Sequence, residues 1–221
     1  MNHSFTILLI LLFVIFTGCK KDSNPTSASN DSPTFNYAGK IYNTMKIGNQ
    51  TWLKENLNVG TMIRGDQNQT NNGTIEKYCY DNDTANCSKY GGLYQWDEAM
   101  QYSTNPGVQG ICPEGWHIPS YDEFQTLAKS VNGDGNSLKA IGEGYSDGAG
   151  TNTTGFGALL AGSRQSGGYF EDLHYYPFFW STTTSSTSDA VYFYIPYENN
   201  YTGGWNTYSK DYGISVRCVK N

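Results

Sequence analysis

The 221-residue chain carries 14 Lys and Arg against 20 Asp and Glu, a formal charge of −6 with an isoelectric point near 5.0. That balance disfavours a phosphate backbone and argues against nucleic acid as a partner. With 18 Tyr, 5 Trp and 25 Gly, the composition suits short strands, turns and long loops over a helical bundle.

The first element is an apolar run from Phe5 to Phe16, interrupted only by Thr6 and followed by Thr17-Gly18-Cys19. As a helix it would span about 18 Å, short of the roughly 30 Å hydrocarbon core, so it reads as a signal-peptide core and not a membrane span. The segment resembles a bacterial lipobox. That resemblance implies cleavage before Cys19, a signal peptide over residues 1–18 and diacylglycerol on the Cys19 thiol. It departs from the pattern in Phe16, where Leu is commoner, and in Met1-Asn2-His3-Ser4, which lacks Lys and Arg. An ordinary cleaved signal peptide is the alternative. After Lys20-Lys21-Asp22 the chain to Pro33 is Ser, Asn, Thr, Asp and Pro with the single Ala28, which cannot bury apolar surface and predicts a flexible tether over 19–34. The charged start of this tether is similar to the export signal of some Bacteroidetes lipoproteins. The expected location is therefore the outer membrane, with the domain exposed at the cell surface.

Residues 35–221 suffice for one globular domain. Two strand-like runs between Lys40 and Glu55 flank Gly48-Asn49, a dipeptide suited to a two-residue hairpin turn. Ile41, Met45 and Ile47 fall on one face, and Tyr42, Thr44 and Lys46 on the other. Leu93, Trp96, Ala99 and Met100 recur at helical spacing and predict a short helix running to Tyr102. Ser120-Tyr121-Asp122-Glu123 has the form of a capping box and predicts a second helix. Its apolar stripe is Phe124, Leu127, Ala128 and Val131. Residues 133–157 read mostly as loop. Residues 190–195 and 213–219 read as strands, with Ile214, Val216 and Cys218 sharing a face. The fold class expected is α+β.

Beyond Cys19 four cysteines remain, and an even count in an exported protein reads as two disulfides. Three connectivities exist. The simplest pairs Cys79 with Cys87 and Cys112 with Cys218, worth about 2.6 and about 4.7 kcal/mol on the chain-entropy account. No CxxC pair or paired histidines point to zinc.

Six blocks carry a family resemblance: Ile47-Gly48-Asn49-Gln50-Thr51-Trp52-Leu53-Lys54-Glu55-Asn56-Leu57-Asn58; Tyr90-Gly91-Gly92-Leu93-Tyr94-Gln95-Trp96; Cys112-Pro113-Glu114-Gly115-Trp116-His117-Ile118-Pro119; Gly155-Phe156 through Gly162; Trp180-Ser181-Thr182-Thr183; and Ser215-Val216-Arg217-Cys218-Val219. In this order they resemble the Fibrobacter succinogenes major paralogous domain, found in lipoproteins and secreted proteins of Fibrobacter and Bacteroidetes. The resemblance covers about residues 37–221. It implies a C-type-lectin-like fold, related to that of formylglycine-generating enzymes, with two helices flanking twisted antiparallel sheets and with long loops. A Cys112–Cys218 disulfide suits that closed form. The family brings no established activity.

No Glu-Pro-Asn, Gln-Pro-Asp or Trp-Asn-Asp tripeptide of calcium-dependent lectins is present, and no cofactor or metal is expected. Asp147 with Asn152, and Asp81-Asn82-Asp83, read as turn formers. Gly-x-Ser-x-Gly, His-Glu-x-x-His and phosphate-loop patterns are missing. The carboxylate pairs Asp97-Glu98, Asp122-Glu123 and Glu171-Asp172 read as caps and solvated faces, and His117 as a structural hydrogen-bonding residue. Trp52, Trp96, Trp116 and Trp180 read as core. What remains is a run of aromatics in a polar C-terminal stretch, Tyr197, Tyr201, Trp205, Tyr208 and Tyr212. Of these Tyr201, Trp205 and Tyr208 are the candidate ligand-binding residues, since rings among polar groups can stack on sugars. The alternative is that these rings pack as core. The expected function is a binding or adhesion module for glycan or a surface protein. A carbohydrate-active hydrolase and a structural envelope component are the alternatives.

Overall fold

The Gly48-Asn49 hairpin forms in the computed structural model, which describes Met1 and residues 34–221. Cys19, the signal segment beyond Met1 and the tether up to residue 33 lie outside the described residues. In chain order the strands begin with β1 (Thr34–Tyr37), β2 (Lys40–Ile47), β3 (Gln50–Leu53), β4 (Thr61–Met62) and β5 (Glu76–Lys77). Then come α1 (Thr84–Tyr90), β6 (Leu93–Tyr94), α2 (Trp96–Ala99), β7 (Trp116–His117) and α3 (Tyr121–Ser130). The remainder is strand: β8 (Ala161–Arg164), β9 (Phe170–Leu173), β10 (Phe178–Thr184), β11 (Asp189–Tyr194), β12 (Gly204–Ser209), β13 (Ile214–Ser215) and β14 (Val219–Lys220). Two five-stranded sheets result, ordered β1-β2-β3-β14-β7 and β12-β11-β10-β13-β6, together with the small pairs β4-β5 and β8-β9. The class is α+β, with three α-helices among the described residues where two were expected.

Gly48 sits at φ +58°, the left-handed backbone that a Gly-first two-residue turn requires. The turn sets Met45 opposite Trp52 and Ile47 opposite Gln50. Both faces of β2 meet core. Tyr42 packs with Leu53, Trp96, Trp116 and Trp180, while Met45 and Ile47 pack with Trp52, Phe124 and Phe156. Ile41, at 63% exposed, and Lys46 depart from this pattern. Trp96 Nε1 donates to Ser181 O and Trp180 Nε1 to Tyr94 O, both at 2.8 Å. These two indoles thus keep their hydrogen bonds while filling the core, whereas the equally buried Trp52 Nε1 has no partner among the described residues.

Two sequence expectations change for the same reason. Leu93 and Tyr94 do not begin a helix. They pair with Ser215 and Ile214 as β6, and the helix is reduced to Trp96–Ala99, because ladder partners outweigh local periodicity. The terminal strand likewise divides: β13 joins the second sheet beside β10, and β14 enters the first sheet between β3 and β7. Between them the carbonyls of Val216 and Cys218 accept from Leu57 N and Leu53 N at 2.9 and 3.1 Å. This crossing is where the Cys112–Cys218 disulfide closes; Cys79–Cys87 is the other.

The second helix follows its sequence signal closely. Ser120 Oγ accepts from Glu123 N, and Glu123 returns a bond to Ser120 N. Phe124 and Leu127 are fully buried, with Val131 packed beside them. Residues 133–157 form loop with two short 3₁₀ turns, Gly135–Ser137 and Ser146–Gly148.

Candidate functional site

Strand β12 carries the aromatic signal, and its alternation decides what each ring does. Residues 205 and 207 point to one side of the second sheet, and 208 to the other. Trp205 lies opposite Phe193 in register, with ring centroids 5.4 Å apart. It also meets Tyr121 edge-on at 4.6 Å and 75°.

Tyr121 is held there by the start of α3. Its backbone N–H donates to Thr183 Oγ1 at 3.1 Å, and Thr182 N donates to Pro119 O at 2.9 Å. Gln125 Nε2 donates to the Tyr121 hydroxyl. The capping box thus fixes where the helix begins, and these bonds fix its first ring against β10. Trp205 and Tyr121 are both partly buried. With Thr183, Thr184, Ser185, Val191, Asn206 and Thr207 they line a shallow open groove of about 450 Å³. The lining has aromatic surface, hydroxyls and an amide, but no carboxylate, imidazole or ammonium. Such a surface can stack on an apolar ring face and hydrogen-bond its polar edge. It offers no general acid or base of the usual kind.

Tyr208 belongs to the opposite side. Its ring stacks on Tyr192 at 4.2 Å and on Tyr212 at 4.4 Å, both within 24° of parallel. Two parallel rings at these distances cannot share one face, so Tyr208 is sandwiched. Phe178 closes on it at 5.5 Å, and burial raises its phenol pKa. Tyr201 lies in the loop before β12, 50% exposed, bridged by backbone to Asp134. The three candidate residues therefore do not share one surface. Trp205 is joined instead by Tyr121 and the β10 hydroxyls.

Several other polar residues of the sequence have structural partners. His117 Nε2 lies 2.8 Å from Glu123 Oε1 and Nδ1 lies 2.6 Å from Asn221 Oδ1. The His174 ring meets Tyr90 edge-on at 6.1 Å. Glu98, 1% exposed, accepts from Glu76 N at 2.9 Å and from the Tyr102 hydroxyl at 2.6 Å. Burial raises its pKa, but each oxygen already has a donor. The adjoining polar cleft, which Asp97 and Asp211 also line, holds about 180 Å³, below the usual ligand-pocket range of roughly 300–1,000 Å³. Asp83 caps α1 by accepting from Ala85 N at 2.8 Å, and Asn82 Oδ1 accepts from Gly65 N at 2.7 Å. Asn152 Oδ1 accepts from Gly157 N at 2.9 Å.

Sequence reasoning missed Tyr121 and the β10 hydroxyls. Tyr121 was visible only as part of a cap and Thr183 only as the last residue of a family block, while Thr184 and Ser185 carried no signal. Nothing local says that they meet Trp205.

The Fibrobacter succinogenes major domain matches this chain over residues 45–220, and the chain belongs to that family. No curated protein and no solved structure matches it.

Proposed function

We propose that this protein is an exported lipoprotein, anchored to the outer membrane through Cys19 and exposed at the cell surface, whose C-type-lectin-like domain binds neutral glycan in the Trp205 groove. The observation that carries the reading is the Trp205–Tyr121 pair set among Thr183, Thr184, Ser185, Asn206 and Thr207. Sugar rings combine an apolar face with hydroxyl edges, and this lining offers a partner for each. Its neutrality favours a glycan over a charged protein patch. The lectin-like fold is supported by the return of β14 to the strand pair β2-β3, by the Cys112–Cys218 closure and by the long loop over 133–157.

A glycan array with the purified protein tests the binding, with Trp205→Ala expected to abolish capture and Tyr208→Ala to leave it intact. Capture that survives Trp205→Ala, or failure to retain any glycan, overturns the groove assignment. Protease shaving of intact cells tests the location. A domain protected until the outer membrane is breached would place Cys19 in the inner-facing leaflet.

A further inference from the structure

A second pocket lies away from the Trp205 groove, and its chemistry is opposite. It holds about 400 Å³ and is lined by the start of β2, the turn after β3, the end of α1 and, at its buried side, Arg217. The protein as a whole carries −6, yet Lys40, Lys54, Lys89 and Arg217 all border this one pocket, against the single carboxylate of Glu55. Both Glu55 oxygens are taken by Asn43, at 2.7 Å from its side chain and 2.8 Å from its backbone N–H.

Arg217 is the unusual member. It is fully buried, and its acceptors are all neutral. Nε and Nη2 donate to Asn56 Oδ1 at 3.0 and 2.6 Å, and Nη1 donates to the carbonyls of Leu53 and Phe156 at 3.2 and 2.7 Å. The Phe156 ring lies 4.5 Å from the guanidinium carbon. A buried cation is ordinarily paired with an anion. Here four hydrogen bonds account for all but one of the five guanidinium N–H groups, and no carboxylate among the described residues pairs with it at ion-pair distance, Glu55 acting on the charge only from farther off. Asn56 is fixed in turn by donating to Tyr90 O at 2.8 Å, and Gly91 lets α1 end against it, since a Cβ there would lie 2.6 Å from Asn56 Cβ. The walls are thus built, not chance neighbours. Ile41, which also lines the pocket, is 63% exposed and offers it an apolar surface.

We propose that this pocket binds an anionic sugar, a molecule of monosaccharide size whose carboxylate or phosphate is drawn by Lys40, Lys89 and Arg217 while Ile41 covers its apolar face. The volume falls in the range of small-ligand pockets, and closely grouped cations within a Debye length act on an anion together. The site does not rest on the groove reading and involves none of its residues.

Titration calorimetry of the full chain with glucuronate, glucose 6-phosphate, glucose and inorganic phosphate tests it. Glucuronate, glucose 6-phosphate or both bind and glucose does not; the tighter of the two identifies the carboxylate or the phosphate as the natural group. Lys89→Gln weakens binding about three- to fivefold and Lys89→Glu about tenfold or more, with the affinity falling as salt rises. Lys89 is exposed, so both variants fold, and Lys40→Gln supplies a second reading from another wall. Trp205→Ala leaves this binding unchanged. Glucose binding as tightly as glucuronate, an unaltered affinity in Lys89→Glu, or no binding of either anionic sugar overturns the site. Inorganic phosphate binding as tightly as either anionic sugar overturns the sugar and leaves an adventitious ion only.

Discussion

The two sides of β12 use the same residue type for opposite ends. On one side Trp205 touches Phe193 and Tyr121 and still lines open space. On the other, Tyr208 is enclosed by Tyr192, Tyr212 and Phe178. The contrast shows that an aromatic-rich strand is not a binding surface in proportion to its rings. What matters is whether a ring retains a face after its neighbours have packed, and in a strand that is settled two residues at a time.

Substitutions on the two sides should therefore separate stability from binding. Tyr192→Ala is expected to have the largest effect, a loss of about 3 kcal/mol in chemical denaturation, because it removes the most deeply buried ring of the tyrosine stack, the one packed on Phe178 and Tyr208. Tyr208→Ala follows at about 2 kcal/mol. In both, the folded fraction keeps its glycan affinity. Trp205→Ala reverses the pattern: at least a tenfold loss of affinity, roughly 1.4 kcal/mol, with a smaller loss of stability. Thr183→Val removes the acceptor for Tyr121 N and should cost about 1 kcal/mol, with a few-fold loss of affinity as the Tyr121 ring drifts. If Tyr208→Ala abolished binding at unchanged stability, the two sides would have exchanged roles.

How far the sequence reached follows the same division between local and distant causes. The hairpin at Gly48-Asn49 and the capping box at Ser120 are local devices, and both stand where the residues placed them. Four cysteines after Cys19 still allow three pairings, and the one that joins the near neighbours Cys79 and Cys87 and leaves Cys112 to Cys218 is the one formed. Leu93 and Ile214 were not, since their conformation comes from each other's segments across the chain. The α1 helix was missed because Asp83-Thr84-Ala85 shows a cap without an apolar stripe behind it: only Cys87 and Tyr90 are buried. In the candidate site, Trp205 was visible as a ring among polar residues, but Tyr121 and Thr183 reach it only through the packing of α3 on β10. Arg217 stood in a family block as one charged residue between apolar neighbours, and nothing in that pattern showed a buried cation whose hydrogen bonds all go to neutral acceptors.

The smallest expected effect concerns pH, and it acts on the helix that carries Tyr121. The hydrogen bond that His117 donates to Glu123 raises the imidazole pKa above its ordinary 6.5, although burial opposes it. Burial pushes Glu123 up, but the bonds from His117 and Ser120 outweigh it and hold the carboxyl below its ordinary 4.5. Both shifts favour the charged pair, whose side chains are 14% and 30% exposed. A raised imidazole contributes stability that is fully present below its unfolded value and is lost as pH climbs through the folded one. A lowered carboxyl contributes stability present above its unfolded value and lost as pH falls through the folded one. The pair therefore stabilises most between about pH 4.5 and about pH 6.5 and fades on the alkaline side. Melting temperatures from about pH 6 to about pH 9 should decline in the wild type, and His117→Gln should flatten that part of the decline. Because Glu123 also closes the capping box through Ser120 N, the imidazole can lose its proton without releasing the start of α3. Glycan affinity should then stay level over the same range while stability falls, and an affinity that fell in step would show that the Tyr121 ring depends on the His117 charge and not on the cap.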